Sequence, residues 1–205
     1  YPYTSTATVF YTLLPDWIAV GGRFQLVENL KNDTFRAKVI GELQEKEDEL
    51  REIILASGKV DKVFIGKTIG EIARNQEKSV AETIVNLLIA AEGKLIGFWP
   101  AISEENFIKA LKSPLSIIAS DGATYNIGDA KDGFLVHPRS FGCFSRILGR
   151  YVREKRILSI EEAIKKMTAL PALKAGLSFR GAIKPRYFAD IAIFNSEFIK
   201  DAATF

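Results

Sequence analysis

Residues 94–121 read Lys94-Leu95-Ile96-Gly97-Phe98-Trp99-Pro100-Ala101-Ile102-Ser103-Glu104-Glu105-Asn106-Phe107-Ile108-Lys109-Ala110-Leu111-Lys112-Ser113-Pro114-Leu115-Ser116-Ile117-Ile118-Ala119-Ser120-Asp121. Two apolar runs of strand length, 94–99 and 115–120, lack clean alternation, which is how strands buried on both faces read. Between them Ser103 is placed to cap a helix that ends near Pro114. Strand, helix, strand with short connections is a βαβ unit, so the pattern predicts an α/β fold with a parallel sheet. Asp121 then stands at the C-terminal end of a strand.

Working outward, Ser79 with Glu82 makes a capping box for a helix running to about Glu92, where Gly93 stops it. Apolar residues recur at helical spacing from Arg23 to Leu30 and from Thr34 to Glu52, and Asn32-Asp33 offers an N-cap between the two runs. The charged stretch at 44–49 is a solvated helix face. Ile53-Ile54-Leu55-Ala56 and Val63-Phe64-Ile65 read as strands beside a turn at Gly58. Residues 1–20, rich in Tyr, Thr, Val and Leu, favour an extended segment punctuated by Pro15 and Gly21-Gly22. Downstream of Asp121 comes a loop at 122–139, then a helix over 141–155. Ser159 with Glu162 boxes another helix that continues to Leu170. A turn at 180–183 and a β-strand at 187–194 close the chain.

The 205 residues, 47% of them apolar, can bury a substantial core as one domain or as part of a larger one. The net charge of +3, from 28 basic and 25 acidic residues, is too weak to predict nucleic-acid or membrane binding. A single cysteine excludes an internal disulfide and fits a reducing compartment, so the default location is cytoplasmic. No apolar stretch approaches the ~20 residues of a spanning helix, and no basic segment followed by an apolar run opens the chain. The absence of an initiator Met, with the abrupt aromatic start, points to Tyr1 as an interior residue of a longer protein. Plentiful Lys, Glu and Ile beside one Met and one Cys gives a thermophile-like composition.

In Ser120-Asp121-Gly122 a carboxylate follows a strand and precedes a residue that permits close backbone approach. Ligands of parallel α/β folds gather at the C-terminal strand ends, which suits an active-site acid. An ordinary turn, with Asp121 bonded to its own backbone, fits the same residues. Arg139 precedes a helix, and its planar fork of donors matches a carboxylate in bidentate fashion; the alternative is a loop salt bridge or carbonyl clamp. His137, the only histidine, reads as structural, because a catalytic zinc site needs three or more protein ligands. Cys143 reads as a small buried thiol with no second His to activate it. Gly-rich phosphate loops, Cys-x-x-Cys and Gly-x-Ser-x-Gly are absent, which leaves nucleotide binding, redox cycling and serine hydrolysis without support.

Tyr1-Pro2-Tyr3-Thr4, Ser120-Asp121-Gly122 and His137-Pro138-Arg139-Ser140-Phe141-Gly142 occur in that order. They are followed by 148–154, Leu158-Ser159-Ile160-Glu161-Glu162-Ala163, 166–172, Arg180-Gly181-x-Ile183, Ala189-Asp190-Ile191 and Asp201-x-Ala203-Thr204-Phe205. Together these resemble the C-terminal part of the D-aminoacylase (N-acyl-D-amino-acid deacylase) family of the amidohydrolase superfamily, strongly from Ile117 onward and loosely from Gly21 to Ala110. The resemblance implies the closing portion of a (β/α)8 barrel over 1–175 and strands of a small β-domain over 176–205. It implies hydrolysis of N-acyl-D-amino acids by a zinc-activated water. Asp121 matches the catalytic aspartate and a shared metal ligand, Arg139 the α-carboxylate-binding arginine, and Tyr1 and Tyr3 a segment lining the substrate site. The remaining zinc ligands are expected upstream of Tyr1, so the chain alone is expected to be inactive. Its expected partners are a small N-acyl-amino-acid substrate, the remainder of the barrel or a partner chain, and a second copy of itself. The alternatives are another amidohydrolase of dihydroorotase, hydantoinase or dipeptidase type, and a non-catalytic fragment or assembly subunit.

Overall fold

A computed structural model describes residues 1–126 and 135–205; part of the loop expected at 122–139, residues 127–134, lies outside the described residues. The chain forms two compact units. One is built on Ser5–Ala101 and includes His137 and Phe205. The other is built on Ile102–Thr124 and Pro138–Thr204 with Tyr1–Thr4. Among the described residues no helix is long and apolar enough to cross a membrane.

The first unit carries, in order, β1 (Thr6–Val9), α1 (Gly22–Lys31), α2 (Asp33–Gln44), α3 (Glu47–Leu50), β2 (Ile54–Gly58), α4 (Ile69–Asn75), α5 (Val80–Ala90) and β3 (Leu95–Trp99). Local chemistry fixes the helix starts. Asn32 Oδ1 accepts from the Thr34 and Phe35 amides at 3.1 and 3.2 Å, so the N-cap expected between α1 and α2 forms. The box at Ser79 and Glu82 closes as expected, and an unforeseen one, Thr68 with Glu71, opens α4. α5 is buried along most of its circumference, at Val80, Ala81, Thr83, Ile84, Val85, Leu87 and Leu88. Around it pack Phe10, Ile18, Leu26, Leu30, Ile53, Leu55 and Ile72. Each such side chain contributes roughly 1.5–3 kcal/mol on leaving water.

The sheet corrects the expected parallel arrangement. Its order is β1-β3-β2, and β3 pairs antiparallel with both neighbours, Thr6 opposite Trp99 and Ile54 opposite Phe98. A continuous apolar run marks burial, not direction, so 94–99 could not reveal the antiparallel ladders. Residues 63–65 are not a strand either. Asp61 Oδ1 accepts from the Val63 amide at 3.0 Å and caps a short 3-10 turn, Lys62–Phe64.

The second unit contains α6 (Glu104–Lys112), α7 (Arg139–Arg146), a π-helical continuation over Ile147–Glu154, α8 (Ile160–Met167) and α9 (Ala169–Lys174). Leu111, Ile118, Cys143, Ile147, Leu148, Tyr151, Leu158 and Ala163 form its core. Ser103 caps α6, and Ser159 with Glu162 boxes α8, as expected. The helix expected over 141–155 starts two residues early, and its second half widens, with the Lys155 amide reaching back five residues to Arg150 O at 2.8 Å. The helix expected to reach Leu170 breaks at Thr168, whose hydroxyl donates to Ile164 O at 2.7 Å.

Two expected strands are absent from this unit. In 115–120 the Ile118 amide donates to Lys166 O at 3.0 Å, but no ladder forms, and Leu115 is 93% exposed. Lys166, itself buried, instead donates to Ser113 O, to Ser116 O at 3.0 Å and to Ser116 Oγ at 2.9 Å, which clamps the segment as a loop. Residues 187–194 likewise form no strand ladder, and Ile193 is 96% exposed. The Phe188 amide bonds to Phe179 O, and Arg180 pairs with Asp190. An apolar run becomes a strand only where another strand meets its backbone donors and acceptors, and propensity alone cannot supply one.

At the start of α6, Glu104 Oε1 accepts from Lys155 Nζ at 2.7 Å, Arg150 Nη2 at 3.0 Å and the Tyr151 hydroxyl at 3.1 Å. Those bonds, led by Lys155, lower its pKa from 4.5 to about 2. A folded pKa below the unfolded one adds stability above about 4.5 that is lost as pH falls towards 2. Glu104→Gln is therefore expected to destabilise the protein at pH 6 and to match the parent near pH 2. Urea titrations of both proteins across that range check it, and a stability difference that does not change with pH contradicts it.

Candidate functional site

The second unit brings together three of the four residues singled out as candidates. Asp121 follows the clamped segment 115–120 in the left-handed region, at φ 49°, where Asp is among the few side chains tolerated. The Gly122 amide donates to Ser120 Oγ at 3.2 Å. A Cβ on Gly122 would lie 2.7 Å from Ser140 Cα, so only glycine lets this turn rest against the start of α7. Arg139 is the first residue of α7. Its Nη2 lies 3.1 Å from Asp121 Oδ2, and its guanidinium sits over the Tyr1 ring, 4.7 Å from the centroid.

Exposure divides this trio. The Asp121 side chain is 68% exposed and that of Arg139 only 11%. A largely covered cation thus sits beside an open carboxylate, with an aromatic ring against the guanidinium. The arrangement offers an anionic ligand a bidentate donor beside a carboxylate that can accept and return a proton. It also sets a competition, since a ligand carboxylate must share Arg139 with Asp121 or displace it.

Tyr3, the fourth candidate, is buried and donates to Asp201 Oδ2 at 3.4 Å. Burial first, then the Asp201 charge, raises the phenol pKa, so Tyr3 remains a donor at neutral pH. Asp201 also receives Arg146 Nη1 at 2.8 Å, and Arg146 lies over the Tyr3 ring at 4.7 Å. Neither Arg146 nor Asp201 was singled out as a site residue, although Asp201 opens the closing motif of the resemblance. Their signal was the recurrence of Arg139, Arg146 and Arg153 every seven residues along one helix, with Gly142 between the first two.

Gly142 explains how this cluster closes. A Cβ there would lie 2.3 Å from the Tyr3 hydroxyl and 3.0 Å from Asp201 Cβ. The Tyr3 ring, stacked under Arg146, has nowhere to retreat. Gly142→Ala is expected to lose stability by ~1–3 kcal/mol from overpacking, against a helix-propensity gain of at most ~1 kcal/mol. Urea denaturation measures it, and an unchanged or raised midpoint contradicts the packing described.

Among the described residues the donors do not fit a zinc centre by themselves. His137, 4% exposed in the first unit, has Nε2 at 3.1 Å from both Ser5 O and Ser5 Oγ. That nitrogen is engaged by both oxygens of Ser5. Burial pushes the Cys143 thiol up to about 11, and its Sγ donates to Ala119 O at 3.5 Å. Among the described residues no group of three or more His, Cys, Asp or Glu side chains is placed to hold a metal ion.

No family model matches the chain. It is 38% identical over 104 residues to N-acyl-D-glutamate deacylase from Alcaligenes xylosoxydans xylosoxydans, which covers 51% of this chain and 20% of that protein. It is 31% identical over 140 residues to D-aminoacylase from the same organism, covering 68% of this chain and 26% of that protein. The fold matches the crystal structure of N-acyl-D-glutamate deacylase from Bordetella bronchiseptica with a TM-score of 0.72 at 24% identity. That match covers 100% of this chain and 34% of the other, which holds zinc and a phosphonate mimic of the tetrahedral intermediate. The chain therefore spans about a third or less of the length of each of these proteins.

Proposed function

This chain resembles the C-terminal part of the D-aminoacylases of the amidohydrolase superfamily, and from that premise we propose that it contributes the proton-transfer and carboxylate-recognition residues of an N-acyl-D-amino-acid deacylase. The observation that carries this reading is the 3.1 Å pairing of Asp121 with Arg139, eighteen positions apart in sequence, under the Tyr1 ring. An acid and a carboxylate anchor in contact suit a substrate whose scissile amide nitrogen sits one carbon from its carboxylate.

In this mechanism the Arg139 fork holds the substrate α-carboxylate and so fixes where the amide carbonyl lies. Asp121 accepts a proton from the attacking water as the carbon–oxygen bond forms, then returns it to the departing nitrogen as the carbon–nitrogen bond breaks. Water is consumed, an acid and an amine leave, and the carboxylate is regenerated. Tyr1 lines the site with its ring, and Tyr3 contributes by anchoring the same segment through Asp201. Zinc accompanies the Bordetella relative, and no ligand cluster for it exists among the described residues.

The finer architecture belongs to the same proposal: residues 1–175 are the closing part of a (β/α)8 barrel, and 176–205 part of a small β-domain. A fold match that covers the whole of this chain and 34% of the Bordetella chain supports it. The activity is tested by following release of the free amino acid from N-acetyl-D-amino acids by zinc-supplemented protein that contains this chain. Turnover is expected, and an intact amide across a panel of D-substrates overturns the reading.

A further inference from the structure

Seven residues along the helix from Arg139, a second arginine repeats its geometry. Arg139 lies over the Tyr1 ring and Arg146 over the Tyr3 ring, each guanidinium carbon 4.7 Å from the ring centroid. Arg146 does more than stack. Its Nε donates to Pro2 O at 2.8 Å and its Nη1 to Asp201 Oδ2 at 2.8 Å, the oxygen that also receives the Tyr3 hydroxyl at 3.4 Å. The Arg146 and Asp201 side chains are 24% and 13% exposed, so solvent weakens this pair little.

The Tyr1-Pro2-Tyr3 segment is thereby held at the Pro2 carbonyl, the Tyr3 ring and the Tyr3 hydroxyl. Proline fixes its own φ near −65° and restricts the residue before it to extended conformations. With Pro2 and Tyr3 pinned, few torsions remain to Tyr1, and its ring is delivered onto the Arg139 guanidinium. A guanidinium on a long stem can rotate out of plane, and bidentate recognition fails when it does.

Resting on the reading of Arg139 as the α-carboxylate anchor, we propose that Arg146 is a positioning residue for substrate recognition. Acting through Pro2 and Tyr3, it seats Tyr1 on the Arg139 guanidinium and so sets the plane of the fork that receives the carboxylate. A merely structural Arg146 would tie residues 1–3 to Asp201 and affect every substrate alike.

The test is a double-mutant cycle of Arg146→Lys with Tyr1→Ala in protein with measurable turnover. Steady-state kinetics on an N-acetyl-D-amino acid and its α-carboxamide are combined with thermal unfolding. Arg146→Lys is expected to raise KM for the acid by about tenfold, keep kcat within about twofold and leave the carboxamide's KM unchanged, and to add nothing in the Tyr1→Ala background. Losses that multiply across the cycle, or equal effects on acid and carboxamide, overturn the proposal. If Arg146→Lys does not fold, Asp201→Asn, which loosens Arg146 without removing it, enters the same cycle with the same expectation. Arg139→Lys, run alongside, separates the two claims. Failure of that variant to distinguish acid from carboxamide removes the anchor itself, whereas a normal Arg139 result with an additive cycle removes only the role of Arg146.

Discussion

In the proposed mechanism Asp121→Asn is expected to lower kcat for N-acyl-D-amino acids by at least ~10²–10⁴-fold, because one carboxylate would perform both proton transfers and an amide can perform neither. The fold survives the change. Asp121 is 68% exposed, and ion pairs with so open a partner contribute ~1 kcal/mol or less. Its backbone sits at φ 49°, a region Asn occupies as readily as Asp. The Asn carbonyl oxygen can still accept from Arg139. Substrate affinity is expected to hold or improve slightly, since the neutral side chain competes less for Arg139 than a carboxylate does. Steady-state kinetics with thermal unfolding check these points together, and a near-normal kcat in a folded Asp121→Asn protein removes Asp121 from the mechanism.

Arg139→Lys acts on recognition instead. Lysine keeps the charge but loses the fork, the stacking on Tyr1 and one of two donors to a carboxylate. A charge-assisted bond contributes ~1.5–3 kcal/mol, which corresponds to roughly a tenfold to hundredfold rise in KM for substrates with a free α-carboxylate. Substrates lacking that group should be almost unaffected. The two variants therefore differ in which kinetic constant they change. Equal losses on both substrate types would show that Arg139 supports the fold of the site and not the binding of a carboxylate.

The candidate site was legible in the sequence through residue types and the family resemblance, although the strand expected to end at Asp121 does not form. Asp121 beside Gly122 and Arg139 at a helix start were visible as residue types in a telling order, and the capping residues Asn32, Ser79, Ser103 and Ser159 announced their helices. What failed was partnership at a distance. The run at 94–99 gave a strand but not the antiparallel direction its neighbours impose, and 115–120 and 187–194 looked like strands yet lack a ladder. A buried lysine clamping carbonyls, as Lys166 does, has no pattern that sequence periodicity detects. The pairing of Arg146 with Asp201 spans 55 positions and left only the seven-residue arginine spacing as its trace.

Asp121 and Arg139 are proposed to serve one reaction on a substrate bearing an α-carboxylate beside the scissile amide. The most direct measurement is kcat/KM for an N-acetyl-D-amino acid and for its α-carboxamide, on the parent protein and on Arg139→Lys. The parent should prefer the acid by roughly tenfold or more, and the substitution should erase most of that preference by lowering the acid's value alone. A parent that hydrolyses both compounds equally, or a preference that Arg139→Lys leaves intact, would contradict the account.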